Sequence, residues 1–532
     1  MKDWWKEAVV YQIYPRSYQD GNGDGVGDLP GIIERLDYLA WLGITAVWIS
    51  PCYPSPMADF GYDVSDYEDI NPLFGTLADM DRLIEEAHAR GIKIILDFVP
   101  NHSSDQHPWF LESRSSRDNP KRDWYYWRDP APDDSDGVRR PPNNWLAHFG
   151  GGSAWKWDVQ TGQYYLHLFL SEQPDLNWRN PEVRAAMLDV MRFWFDKGVD
   201  GFRVDVSYKV MKDTEFRDNP LNPDWVEGMD PFARLIQTYS ENQPDNHEFN
   251  RWLRQVAEEY GDRVLIGEIY LPIPELVTHY GRQDEFHLPF NFHLIHSAWN
   301  AAEIRNLIEA YEGAMPEDAW PNWVLGNHDQ HRFATRVGVN QARIGMMLLL
   351  TLRGTPTLYY GEEIGMEDGD IPLDKLVDPG EIKAPGLGLG RDPERTPMQW
   401  DSSPNAGFSP PGVSPWLPVT NNYKLVNVAQ QRDYPYSMLT FTRRLIALRQ
   451  QSHALFQGTY NTLEAGDDVL AYMRETANEK LAIVLNLGYK PRIWSLPADL
   501  AGEVVLSTRL DGGAEIANGK LYLRQHEGVI LR

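Results

Sequence analysis

Apolar residues first recur at helical spacing at Leu29, Ile32, Ile33, Leu36 and Leu39; Gly43 follows, and residues 44–49 form a short apolar run. A face of that period closed by glycine predicts an amphipathic helix, and the run after it an interior strand. The same order returns twice. Thr76 and Asp79 have the spacing of a capping box, Leu77, Met80, Leu83, Ile84 and Ala87 share one face, and Gly91 precedes a run at 92–99. Asn180 and Pro181 open a third helix, with Val183, Met187, Val190, Met191 and Trp194 inward, and Gly198 leads into a run at 200–206. Further runs at 9–14, 264–269, 286–290, 322–325 and 356–360 bring the strands to eight. Strands buried on both faces and alternating with helices are laid parallel, so eight of them predict an α/β fold, the closed (β/α)8 or TIM barrel.

Reactive groups of such a barrel sit just past the carboxyl ends of its strands. Polar residues do follow the apolar runs here: Asp97 and Asn101-His102 after the third, Arg203 and Asp205 at the fourth, Glu268 at the fifth, Asn327-His328-Asp329 at the seventh. Residues 101–175, rich in Pro, Asp, Trp and Tyr, far exceed an ordinary βα connection of ~2–6 residues and predict an inserted subdomain over the mouth. A Gly/Pro/Asp-rich stretch at 365–418 predicts another wall. After a helix at 437–450, alternating segments with glycine-rich turns predict a small antiparallel β domain. The expected division is a barrel of residues 1–100 and 176–455, an insert of 101–175 and a C-terminal domain of 456–532.

Two carboxyl groups ~5–5.5 Å apart are what a retaining glycosidase needs, one to attack the anomeric carbon and one to protonate the leaving oxygen. Asp205 and Glu268, at the ends of neighbouring strands, suit that pair, with Asp329 facing them across the mouth. Arg203 shares a strand face with Asp205 and is expected to hold it ionised, while enclosure beside Asp205 would raise Glu268, as an acid requires.

Composition narrows the partners. The formal charge of −27 excludes nucleic acid and anionic membrane as natural ligands, whereas 20 Trp and 26 Tyr supply flat faces suited to sugar rings. Cys52 stands alone, so no intrachain disulfide forms, and no Cys/His cluster offers a zinc site. The charged start and the shortness of the strongest apolar run, Met346 to Leu352, predict neither a signal peptide nor a membrane span, hence a cytoplasmic protein. No pattern bears on the oligomeric state. Residues 20–28, DGNGDGVGD, form an oxygen-rich loop like the first half of an EF-hand, with Gly25 at the bend.

The motifs DFVPNH (97–102), QPDLNW (173–178), GFRVDV (201–206), GEIY (267–270) and GNHDQ (326–330), in that order, with RTPMQW (395–400), resemble the α-amylase family, glycoside hydrolase family 13, in its oligo-1,6-glucosidase and α-glucosidase branch. The resemblance implies Asp205 as nucleophile, Glu268 as acid/base and Asp329 as transition-state stabiliser. It implies sugar contacts from Asp59, Tyr62, His102, Arg203 and His328, and a clamp on the 4-hydroxyl in which Arg395 joins Asp59, with Arg391 as the rival. It implies one structural Ca2+ or Mg2+ on Asp20, Asn22, Asp24, Asp28 and the carbonyl of Val26. The expected activity is retaining, exo-acting hydrolysis of short α-glucosides, with glucosyl transfer. Trehalose synthase and sucrose isomerase of the same family are the alternatives; Val206 inclines the linkage towards α-1,6, whereas SYKVMKDTEFRDNP (207–220) and HLPFNFHLI (287–295) resemble broad-specificity bacterial α-glucosidases, which leaves the linkage open. An inactive transporter-associated or binding-only relative would need neither carboxylate.

Overall fold

The computed structural model describes residues 3–132, 139–466, 468–498, 500–512 and 514–532. Eight parallel strands form one sheet: β1 (Val10–Ile13), β2 (Ala46–Ile49), β3 (Lys93–Phe98), β4 (Gly201–Val204), β5 (Val264–Gly267), β6 (Leu288–Pro289), β7 (Asn322–Val324) and β8 (Thr355–Tyr359). Their order is β7-β8-β1-β2-β3-β4-β5-β6. The remaining seam, between β6 and β7, is bridged by one side chain: the Asn322 amide donates to the Pro289 carbonyl at 2.5 Å and accepts from Asn291 N at 2.9 Å. Proline has no N–H to offer a ladder, so an amide side chain stands in for the missing backbone pairs. This also explains why β6 is shorter than the apolar run at 286–290 suggests.

The helices follow their caps. Thr76 and Asp79 form the expected capping box, and Leu77–Ala89 buries Met80, Leu83, Ile84 and Ala87. Asn180 caps Pro181–Asp196, which buries Val183, Met187, Val190, Met191 and Trp194. The first predicted helix is broken into Leu29–Glu34 and Leu36–Leu42 at Arg35 (φ −99°, ψ 2°). There the Arg35 guanidinium turns back to Gln19 Oε1 at 2.8 Å and lies 4.1 Å from the Trp400 ring. Val10, Ala46, Trp48, Ile95, Val264, Ile266, Leu288 and Val324 pack together in one cluster, and a larger cluster joins the barrel to its helices.

Between β3 and β4 lie the helix Pro108–Ser115 and an antiparallel sheet of Trp127–Arg128, Gln163–Leu166 and Trp155–Asp158. Its core of Tyr126, Trp145, Trp155, Tyr164 and Phe169 includes Val206, so this segment packs on the turn that follows β4. Beyond β8, the stretch to Pro418 has short helical turns and no strand among the described residues. After the helix Met438–Gln451 come a five-stranded and a three-stranded antiparallel sheet around Val469, Ala471, Val484, Trp494, Leu521 and Val529. Among the described residues no helix is long and apolar enough to cross a membrane.

Candidate active site

The strand ends converge on the Arg203 guanidinium. Asp97 stands opposite Arg203 in the register of β3 and β4, and its carboxylate takes two bonds from Arg203 Nη1, at 2.8 and 3.0 Å. Asp205, one residue past the end of β4, is 2.7 Å from the same nitrogen, and Glu268 Oε2, just past β5, is 2.6 Å from Nη2. Asp205 and Glu268 are thus held side by side on one cation. Immediately after Asp205 the backbone turns: Val206 has φ 34° and ψ 44°, unfavourable for a β-branched residue, and its N–H donates to Glu268 Oε2 at 2.7 Å. The insert packing against Val206 accounts for the retention of that conformation.

Burial and charge pairing oppose each other at this cluster. Burial raises the Asp205 carboxyl well above the ordinary carboxylate range, Arg203 opposes the rise, and the Glu268, Asp97 and Asp329 charges add to it. Burial likewise pushes Asp97 up to about 7 against the pull of Arg203. Arg203 does pair with Asp205 as expected, but the one guanidinium is divided among three carboxylates, Asp97, Asp205 and Glu268.

Across the mouth, Asp329 has the opposite environment. Burial would raise its carboxyl, yet the field of Arg391 and Arg395 brings it well below the usual range. Arg395 Nη2 lies 2.8 Å and Arg391 Nη1 3.1 Å from Asp329 Oδ1. The expected contact of Arg395 with Asp59 is not formed. Its rival makes it: Arg391 Nη2 donates to Asp59 Oδ1 at 2.7 Å, and Arg391 Nε to Asp378 Oδ2 at 2.8 Å. Arg395 is turned inward instead, its Nε donating to the His328 carbonyl at 2.7 Å.

The other sugar-contact candidates assemble here too. Tyr62 and His328 stack with ring centroids 5.5 Å apart and planes 2° from parallel, and Tyr62 Oη is 2.7 Å from His328 Nε2. Burial moves His328 well below its ordinary value and His102 down to about 4, so both rings are neutral at physiological pH. Gln173, within the QPDLNW motif, reaches both Asp59 Oδ2 and His102 Nε2 at 3.1 Å. Asp59, Tyr62, His102, Asp205, Glu268, Asp329 and Arg391 line a cavity of about 490 Å³, within the ~300–1,000 Å³ range of small-ligand sites. Phe149, Phe169, Tyr208, Phe232 and Tyr270 wall it. Arg203, His328 and Arg395 stand behind that lining, each at most 1 % exposed. Asp378 and Gln173 were not singled out by the sequence; Asp378 lies in a stretch with no periodicity to mark it.

The 20–28 loop is away from this cleft. Asp20 accepts from the N–H groups of Gly23, Asp24 and Gly25, Asp28 from those of Gly21, Asn22 and Gly31, Asn22 from Asp24, and Asp24 Oδ1 from Val26. These bonds leave lone pairs on Asp20 Oδ2, Asp28 Oδ2 and both oxygens of Asp24, an all-oxygen donor set that fits a hard cation.

Residues 12–458 match the catalytic domain of alpha-amylase. The chain belongs to the α-amylase family of glycoside hydrolases. It is 42 % identical over 514 residues to a probable α-glucosidase of Rhizobium meliloti strain 1021, covering 93 % of this chain and 91 % of that one. Among solved structures, an α-glucosyl transfer enzyme, XgtA, is 41 % identical with a TM-score of 0.92 over 100 % of both chains, and a trehalulose synthase, MutB, is 37 % identical with a TM-score of 0.90 over 99 % of both. This α-amylase-family glycosidase therefore shares its whole architecture, C-terminal β domain included, with both of these enzymes.

Proposed function

We propose that the protein is a retaining, exo-acting α-glucosidase that releases glucose from the non-reducing end of short α-glucosides and also transfers it. The observation that carries this reading is the pairing of Asp205 with Glu268 on Arg203, opposite the Arg391 clamp on Asp59 and Asp329. Asp205 attacks the anomeric carbon while Glu268 gives its proton to the glycosidic oxygen, and the aglycone leaves as an alcohol. Glu268, now the base, takes a proton from water, whose oxygen attacks the anomeric carbon and breaks the Asp205 ester. Two inversions give net retention. When a sugar hydroxyl replaces water, the same step is transfer.

Asp329, ionised by its two arginines, supports the positive charge that develops on the sugar ring. Neutral His102 and His328 and the raised Tyr62 phenol serve as hydrogen-bonding groups around the first sugar. The clamp closes the pocket behind that sugar, which supports exo action, and the aromatic walls support a short acceptor or leaving sugar in the outer cavity. The Asp20–Asp28 loop, by its free oxygen lone pairs, is assigned one structural Ca2+ or Mg2+. The lone buried Cys52 accords with a reducing, cytoplasmic setting.

An isomerase reading is favoured by one finding, the likeness to trehalulose synthase. Chromatography of products from maltose, isomaltose, sucrose and trehalose separates the two. Early free glucose supports the hydrolase; rearranged disaccharides with little glucose would overturn it in favour of the isomerase.

A further inference from the structure

At the rim of the cleft, three chain segments bring an imidazole and two carboxylates together. His331 lies two residues past Asp329, Asp368 follows β8, and Glu394 sits between Arg391 and Arg395. His331 Nδ1 is 2.8 Å from Asp368 Oδ2 and 3.8 Å from Glu394 Oε2. One ligand atom from each residue lies within 4.8 Å of the other two. Glu394 is the anomalous member. It is 1 % exposed, and its Oε2 has no hydrogen-bond partner although that atom faces the cluster. A buried carboxylate oxygen left unpartnered is costly unless a proton or a cation meets it.

We propose that His331, Asp368 and Glu394 form a binding site for a divalent first-row transition ion such as zinc. Tetrahedral zinc with bonds of ~2.0–2.1 Å sets its ligand atoms ~3.3–3.4 Å apart. The observed 2.8 and 3.8 Å bracket that separation, so small side-chain rotations suffice. One imidazole with two carboxylates suits zinc, manganese, cobalt or nickel better than an all-oxygen cage does, and it balances the double charge. Asp368 is already oriented as a ligand, since its Oδ1 accepts from Arg332 N at 2.7 Å and its own N–H donates to the Thr335 hydroxyl at 2.7 Å. His331 and Glu394 line the sugar cleft, so an ion held there borders it.

The test is a calorimetric titration of zinc into enzyme stripped with chelator and then saturated with calcium, which occupies the Asp20–Asp28 loop. The expected result is one zinc bound per chain, weakened about tenfold or more by His331→Ala and by Glu394→Gln. Circular dichroism of the metal-free variants checks that both fold; His331 is half exposed, so its replacement removes little packing. Absence of zinc binding, or stoichiometric binding undiminished in both variants, would overturn the proposal. The readout does not depend on glucosidase activity.

Discussion

Arg391→Lys tests which cation closes the sugar pocket. The Arg391 guanidinium reaches Asp59 at 2.7 Å, Asp378 at 2.8 Å and Asp329 at 3.1 Å through three different nitrogens. A lysine ammonium is a compact charge on a flexible stem and does not span three carboxylates held by a planar fork. If it keeps the nearest partner, two charge-assisted bonds are lost, each worth roughly 1.5–3 kcal/mol. The sum of about 3–6 kcal/mol, expressed in transition-state binding, lowers kcat/KM by about 10²–10⁴-fold at ~1.4 kcal/mol per decade. The decisive assay is a double-mutant cycle with Asp59→Asn, read as kcat/KM on a p-nitrophenyl α-glucoside. Arg391 and Asp59 are expected to couple by about 1.5–3 kcal/mol, and Arg395→Lys with Asp59→Asn by at least ~1 kcal/mol less, because Arg395 bonds Asp329 and the His328 carbonyl instead. An Arg395 coupling equal to or above that of Arg391 would refute the assignment of the clamp.

Asp205→Asn should abolish glucose release while leaving glucoside binding measurable by calorimetry; unchanged turnover would remove Asp205 from the chemistry. Glu268→Gln should lower kcat on maltose by at least about 10²-fold yet spare the first step for α-glucosyl fluoride, whose leaving group needs no proton, and an equal loss on both would contradict the acid role. Burial pushes Glu362 up to about 8. A carboxyl raised on folding binds its proton more tightly in the folded state, so its contribution is present below its ordinary value and is lost as pH rises through 8. Glu362→Gln should therefore gain thermal stability relative to wild type from pH 5 to pH 9, and a constant difference between the two would count against that burial. Chelation should lower the thermal midpoint and added Ca2+ restore it, with Asp24→Ala abolishing the response; a midpoint indifferent to chelator would argue against the loop site.

The scaffold was legible in the chain because its determinants are local. A capping box at Thr76 and Asp79, an Asn-Pro start at 180–181 and apolar runs of strand length each act within a few residues, and the polar residues closing those runs became the strand ends of the cleft. That the barrel closes was legible from the count of strands, but the contact that closes it was not, since it is an asparagine amide reaching Pro289 across a seam. Arg391 and Arg395 posed a different difficulty. Their four-residue spacing would place them together on a helix, but a turn at Pro393–Arg395 intervenes, sending Arg391 to Asp59 and Arg395 behind Asp329.

The full surroundings of Asp205 were not legible along the chain, for a reason that the strand register makes plain. Reading along β4 alone gives Arg203 one acidic neighbour, Asp205. Reading across the sheet places Asp97 directly opposite Arg203 and, on the other side, Ile266, two residues before Glu268 and therefore on the same face. Once β3, β4 and β5 are neighbours, three carboxylates meet one guanidinium, and burial raises Asp205 and Asp97 against that pairing. A sequence argument about the ionisation of a barrel-mouth acid thus has to be made from the strands on either side of it, since the nearest charges along the chain supply only part of the field.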